Sequence, residues 1–209
     1  RDFGNSPDFD LSGHLLASGQ SNNEGSQVGA TVFAVNQSHR LRLAAMTERG
    51  NDADFADGQI LPSEYERDRY DVSYGFRTGK HTVDLSFTRS ETGDTGTAAL
   101  PMDIASIDGD LFSVAYSLQT TNWTLKAQVF GSDLDHTMTN YHLRKAPTDS
   151  ALWRRNITDS NNQGYKVTAL MQDGKGSWLL GSDGLDSSHN SDIDNPRNPM
   201  FFVTNFNDA

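Results

Sequence analysis

His136 and Met138 form the sharpest chemical signal in this sequence. An imidazole and a thioether suit copper, Cu(I) in particular, because soft donors select soft ions. On an extended strand, side chains i and i+2 leave from the same face, so both groups can reach one ion. The bland reading is that the pair belongs to an upper strand edge or a loop. Met102, beside Asp103, offers a second thioether, with loop packing as its bland counterpart.

Other candidate chemistry is thinner. The run Asn51-Asp52-Ala53-Asp54-Phe55-Ala56-Asp57-Gly58 looks like a calcium loop, but Ser63 stands where a twelfth-position glutamate is required if Asp52 is first. A solvated acidic loop is the expectation. The histidines His14, His39, His81, His136, His142 and His189 are scattered, and no Gly-x-Ser-x-Gly elbow, His-Glu-x-x-His or phosphate-cradling glycine loop occurs. Asp183 and Asp186 near His189 can be drawn as an acid–base set, and Arg154-Arg155 as an anion contact. Three polar residues at a strand end and a solvated pair are the default readings. Zero cysteines exclude disulfides, thiolate metal sites and a cysteine nucleophile. The expectation is a protein that is not an enzyme and carries no resident cofactor.

The elements that would position these residues have period two. Tyr70, Val72, Tyr74 and Phe76 alternate with polar neighbours or glycine, and so do Val83, Leu85 and Phe87. Phe112, Val114, Tyr116 and Leu118, then Trp123, Leu125, Ala127 and Val129, repeat the pattern. Each stretch predicts a strand with one apolar face. Weaker strands are expected at 9–18, 28–36, 40–48, 165–172 and 178–186, and a last one begins in 200–206. That gives roughly ten strands and no helix, an all-β chain.

The connections alternate in length. Asn36-Gln37-Ser38, Thr78-Gly79-Lys80, Thr120-Thr121-Asn122 and Asp173-Gly174-Lys175-Gly176 read as tight turns, whereas 51–66, 91–108, 134–162 and 187–199 read as long polar loops. Strict alternation puts short turns at one end of the sheet and long loops at the other, as in an outer-membrane barrel. The apolar faces carry no charge until their outer ends, and Phe76 and Trp123 flank short turns as girdle aromatics would. No run of 18 apolar residues permits a spanning helix, but spanning strands need only alternation. The net charge of −11 argues against a phosphate-binding surface, so no nucleic-acid partner is expected.

Specific segments then become familiar. Gly50-Asn51-Asp52 through Gly58, Ile60-Leu61-Pro62-Ser63 and Tyr70 to Gly75 resemble the early barrel of TonB-dependent outer-membrane receptors. So do Ala99-Leu100-Pro101-Met102-Asp103, Asp108 to Leu111, Gly164-Tyr165-Lys166-Val167 and Asn205-Phe206-Asn207-Asp208-Ala209. Leu134-Asp135-His136-Thr137-Met138-Thr139-Asn140-Tyr141-His142-Leu143-Arg144 is similar to the DHxMDNYxLR stretch of the branch that includes TonB-dependent copper receptors. Thr139 departs from it, standing where that branch usually has Asp. The resemblance runs from about Asp8 to the end.

The resemblance implies a 22-stranded transmembrane barrel plugged by an N-terminal domain, in the outer membrane of a Gram-negative bacterium. Residues 1–209 would be one partial barrel domain, an antiparallel up-and-down β-barrel fragment without plug or closing strands. The opening at Arg1 reads as that of a processed or truncated piece. Implied partners are outer-membrane lipid, the TonB–ExbB–ExbD system acting through the plug, and a metal or metal chelate as cargo. Copper is favoured, with His136 and Met138 as ligands and the plug supplying the rest; a ferric siderophore is the alternative. The rival from another class is a soluble or cell-surface β-sandwich binding module, whose apolar faces would close on one another.

Overall fold

The structure is a computed structural model and describes residues 2–174 and 176–208. Lys175, in the fourth short turn, and Ala209, at the end of the last family-like segment, lie outside the described residues.

Twelve strands follow one another: β1 (Asp10–Gln20), β2 (Gly25–Val35), β3 (His39–Gly50), β4 (Ala53–Phe55), β5 (Gly58–Ile60), β6 (Tyr65–Thr78), β7 (His81–Thr92), β8 (Asp103–Gln119), β9 (Trp123–Thr139), β10 (Arg155–Asp173), β11 (Gly176–Asp194) and β12 (Phe202–Asp208). Ten of them form one antiparallel sheet in chain order, while β4 and β5 make a small separate hairpin inside a loop. Among the described residues the only other regular element is a single 3-10 turn, Ser150–Leu152.

Among the described residues no second layer of strands or helices packs on either face of this sheet. Val35 is the one buried hydrophobic residue among those described, while Leu15 and Trp178 are 85% and 65% exposed. The accessible surface, 13379 Å², far exceeds the roughly 9600 Å² of a compact globule of this mass. A sandwich would bury its apolar faces between two facing sheets, and among the described residues the ten-stranded sheet has beside it only the small β4–β5 hairpin.

Register assembles the apolar residues of successive strands into a band. Leu43, Val72, Phe87 and Phe112 stand directly opposite one another across β3, β6, β7 and β8. Leu41, Tyr74, Leu85, Val114, Val129 and Tyr165 form the next row toward the short turns. The other face is polar: the Arg40 guanidinium meets the Asp84 carboxylate at 2.7 Å. That pair passes over Gly75, where an added Cβ would lie 2.5 Å from each side chain. The segment before β1 also lies on this polar face, with the Phe3 ring between Arg40 and Arg77 at 4.6 and 4.5 Å.

The long loops are shorter than the sequence predicts. Only residues 93–102, 140–154 and 195–201 connect β7 to β8, β9 to β10 and β11 to β12. The rest of the polar segments continue the strands. At about 3.3 Å per residue and a tilt near 45°, the 17 residues of β9 rise about 40 Å, beyond the ~25 Å apolar band of such a wall. Above the band both faces meet water, so the alternation that marks a strand in sequence fades. The acids expected in loops stand instead in cross-strand rows on these extensions, such as Glu91, Asp108, Asp135 and Asp159.

Candidate functional site

His136 and Met138 lie on β9, three and one residues before its outer end. They share a face with Lys126, Gln128 and Ser132, opposite to the apolar band. His136 stands between Ile107 of β8 and Thr158 of β10; Met138 stands between Ile104 and Asn156. The register skips one residue of β8 between Ile104 and Ser106, and this bulge brings Ile104 opposite Met138. The pair is therefore strand-borne rather than loop-borne, and period two gives it a common direction.

The His136 imidazole is unusual in one respect. Its Nε2 is buried and has no hydrogen-bond partner among the described residues. The hydroxyl across from it is already engaged: Thr158 Oγ1 and Ser191 Oγ both donate to Asn156 Oδ1 at 3.0 Å. His136 lies above the apolar band, and burial pushes its pKa down. Burial thus favours the neutral ring, whose Nε2 offers a lone pair when the proton sits on Nδ1. Among the described residues no three His, Asp or Glu side chains come together as a metal site.

The outer loops beside this pair are locked by a residue couple to which sequence reading gave no role. Asp103, fully buried and opposite Thr139 in the register, accepts from Arg144 Nε and Nη2 at 2.6 Å each and from the Thr97 amide at 2.9 Å. Arg144 also donates to the carbonyls of Leu100 and Thr97 at 2.8 and 3.3 Å. Burial alone would raise the Asp103 pKa; the Arg144 guanidinium and the Thr97 donors outweigh it and hold the carboxyl below the usual range. His142 adds a contact to Asp94 at 3.0 Å, joining the same two loops. Both members of the clamp lie in the family-like segments, but only a 41-residue separation closed in space shows them as a pair.

The remaining candidates resolve as structural groups. Asp52 Oδ1 accepts from the Ser63 and Glu64 amides at 2.5 and 3.1 Å, holding the base of the β4–β5 hairpin. Met102 is the residue next to the Asp103 clamp, and its carbonyl accepts from the Thr97 hydroxyl. Asp183 stands opposite Lys166, whereas Asp186, on the other face, accepts from Gln163 at 3.0 Å, so the two do not form an acid–base set with His189. Arg155 is paired with Asp194 at 2.6 Å, and Arg154 stacks on Phe201 at 3.9 Å.

The fold defines an open segment of an up-and-down antiparallel barrel wall. No family model matches the sequence, and no curated protein matches it. Among solved structures the chain is similar to the copper transporter OprC, with a TM-score of 0.83 over its whole length at 16% sequence identity. The chain spans 34% of the length of that structure. The likeness is one of fold: this chain has the architecture of a stretch of that barrel.

Proposed function

We propose that this chain is part of the wall of a TonB-dependent outer-membrane transporter that takes up a metal, and that copper is its cargo. The observation that carries the proposal is the pairing of His136 and Met138 on the non-lipid face of β9, with the His136 Nε2 buried and unpaired. A buried polar atom without a partner is costly, and such atoms call for an explanation such as an ion. A thioether on the same face selects a soft ion, which makes Cu(I) the fitting one. The fold likeness to a copper transporter supports the same reading.

The roles follow from the architecture. The apolar rows hold the wall in lipid, the polar face meets a water-filled or plugged lumen, and the clamped outer loops form the vestibule above the pair. Energy would come from the TonB system acting outside this segment. The test is Cu(I) binding to the full-length receptor carrying His136→Ala and Met138→Ala. Each change should weaken binding by about tenfold or more, with the barrel still assembled. Unchanged affinity in the double variant would end the copper assignment.

A further inference from the structure

Two side-chain pairs at the short-turn edge of the apolar face are copies of one another. His39 is the first residue of β3 after one short turn, and His81 is the first residue of β7 after the next. His39 Nδ1 is 2.7 Å from the Tyr74 hydroxyl, and His81 Nδ1 is 2.7 Å from the Tyr116 hydroxyl. In both cases the histidine pairs directly with the residue two places beyond that tyrosine, Phe76 in one and Leu118 in the other. All four residues lie on the apolar face, at its lower rim. The His39 ring is further cradled by Phe9 and Phe76, at 6.2 and 5.2 Å between centroids.

Each pair has a donor left over. If the tyrosine O–H donates to Nδ1, the imidazole proton sits on Nε2 and points away from the bond. If Nδ1–H donates instead, the tyrosine keeps its own O–H. Among the described residues, the tyrosine contact is the one hydrogen bond of either ring. One N–H or O–H donor per pair is therefore unspent at the edge of a surface that otherwise meets hydrocarbon. Beside His81 the exposed Lys80 adds positive charge.

We propose that the His39–Tyr74 and His81–Tyr116 pairs are two equivalent headgroup sites, each donating a hydrogen bond to the phosphodiester of a phospholipid in the leaflet on the short-turn side. The acyl chains of that lipid lie along the apolar rows that continue upward from each pair, such as Leu41 with Tyr74 and Val83 with Tyr116. The site is thus continuous with the lipid-facing band, and the unspent donor meets an anionic acceptor at the level where the headgroups begin. The proposal rests on the membrane-barrel reading but not on the cargo.

The experiment is native mass spectrometry of the full-length receptor in dodecyl maltoside with phosphatidylglycerol added. Wild type should retain two phosphatidylglycerol molecules, His39→Phe/Tyr74→Phe and His81→Phe/Tyr116→Phe one each, and the fourfold variant neither, because phenylalanine keeps the apolar packing and replacing both members of a pair removes all of its donors. The Tyr74→Phe/Tyr116→Phe variant serves if the fourfold variant fails to assemble; each imidazole keeps one N–H but loses the hydroxyl that orients it, and retention should weaken by about tenfold. Diacylglycerol, which has the same chains without phosphate, should not fill the sites, and excess inorganic phosphate should not strip the lipids. Retention unchanged in the fourfold variant or in Tyr74→Phe/Tyr116→Phe, equal binding of diacylglycerol, or displacement by free phosphate overturns the proposal. Failure of the barrel reading would look different: wild type would stay in solution without detergent and hold no lipid at all.

Discussion

Replacing Arg144 by methionine tests the outer clamp most directly. The change keeps much of the side-chain volume and removes the charge. It leaves the Asp103 carboxylate, with no exposed side-chain surface, accepting from Thr97 alone. Removing one partner of a buried ion pair costs about 3–5 kcal/mol, because the other charge stays buried and uncompensated. Arg144 is itself only 22% exposed, so solvent screening takes little from that figure. The assay is amide hydrogen exchange over 93–104 and 140–155 in the assembled full-length protein. A loss of about 3 kcal/mol of local stability corresponds to exchange on the order of 100-fold faster in those segments, with the strands of the apolar band unchanged. Asp103→Asn should cost less, since Arg144 keeps the carbonyls of Leu100 and Thr97. Asp103→Leu combined with Arg144→Met should recover part of the loss, because no buried charge remains. Exchange within about threefold of wild type in Arg144→Met, or a double variant worse than the single, would refute the reasoning.

Further expectations follow from the same geometry. Folding lowers the pKa of Asp103, so its contribution is complete above the ordinary aspartate value of about 3.9 and is lost as pH falls below it through the depressed folded value; the protection of the outer loops, taken relative to the intrinsic exchange rate at each pH, should therefore stay flat from pH 7 to 5 and fall only in stronger acid. Thr139 is 5% exposed and its hydroxyl has no partner, so Thr139→Val should raise stability by about 1 kcal/mol in urea unfolding from bilayers; a destabilised variant would mean that the hydroxyl is bonded. Gly96→Ala should displace the 93–102 loop, because its Cβ would lie 2.3–2.5 Å from the backbone of Pro62 and Ser63, and greater protease sensitivity of that loop would report it. Gly131→Ala would drive a Cβ to 2.5 Å from the Phe112 ring and should lower the unfolding midpoint by an amount equivalent to about 1–3 kcal/mol.

Much of the wall was legible in the residues. Tyr70 to Phe76 and Phe112 to Leu118 alternate cleanly because each strand has one apolar and one polar face, and the structure places both where period two puts them. The extensions from 155 and to 194 were not legible as strand. Their residues, such as Asn161, Asn162, Ser187 and Ser188, are polar on both faces, and periodicity needs a contrast to be seen. What holds them in the sheet is the ladder of backbone hydrogen bonds, which does not depend on side-chain type.

The candidate site divides in the same way. His136-x-Met138 could be read from the sequence because i and i+2 on one strand need no knowledge of any other strand. The Asp103–Arg144 clamp and the two His–Tyr pairs could not. Their members are 41 and 35 residues apart, and they meet only because β8 runs back beside β9, β3 beside β6 and β7 beside β8 in fixed register. The sequence by itself determined the period and the alternation of short and long connections, and hence strands with one apolar side; that they form one layer and not two facing sheets was decided by the tertiary structure. Tertiary structure decided which residues stand opposite one another, since register fixes neighbours to within a few ångströms while a single strand's pattern fixes only its faces.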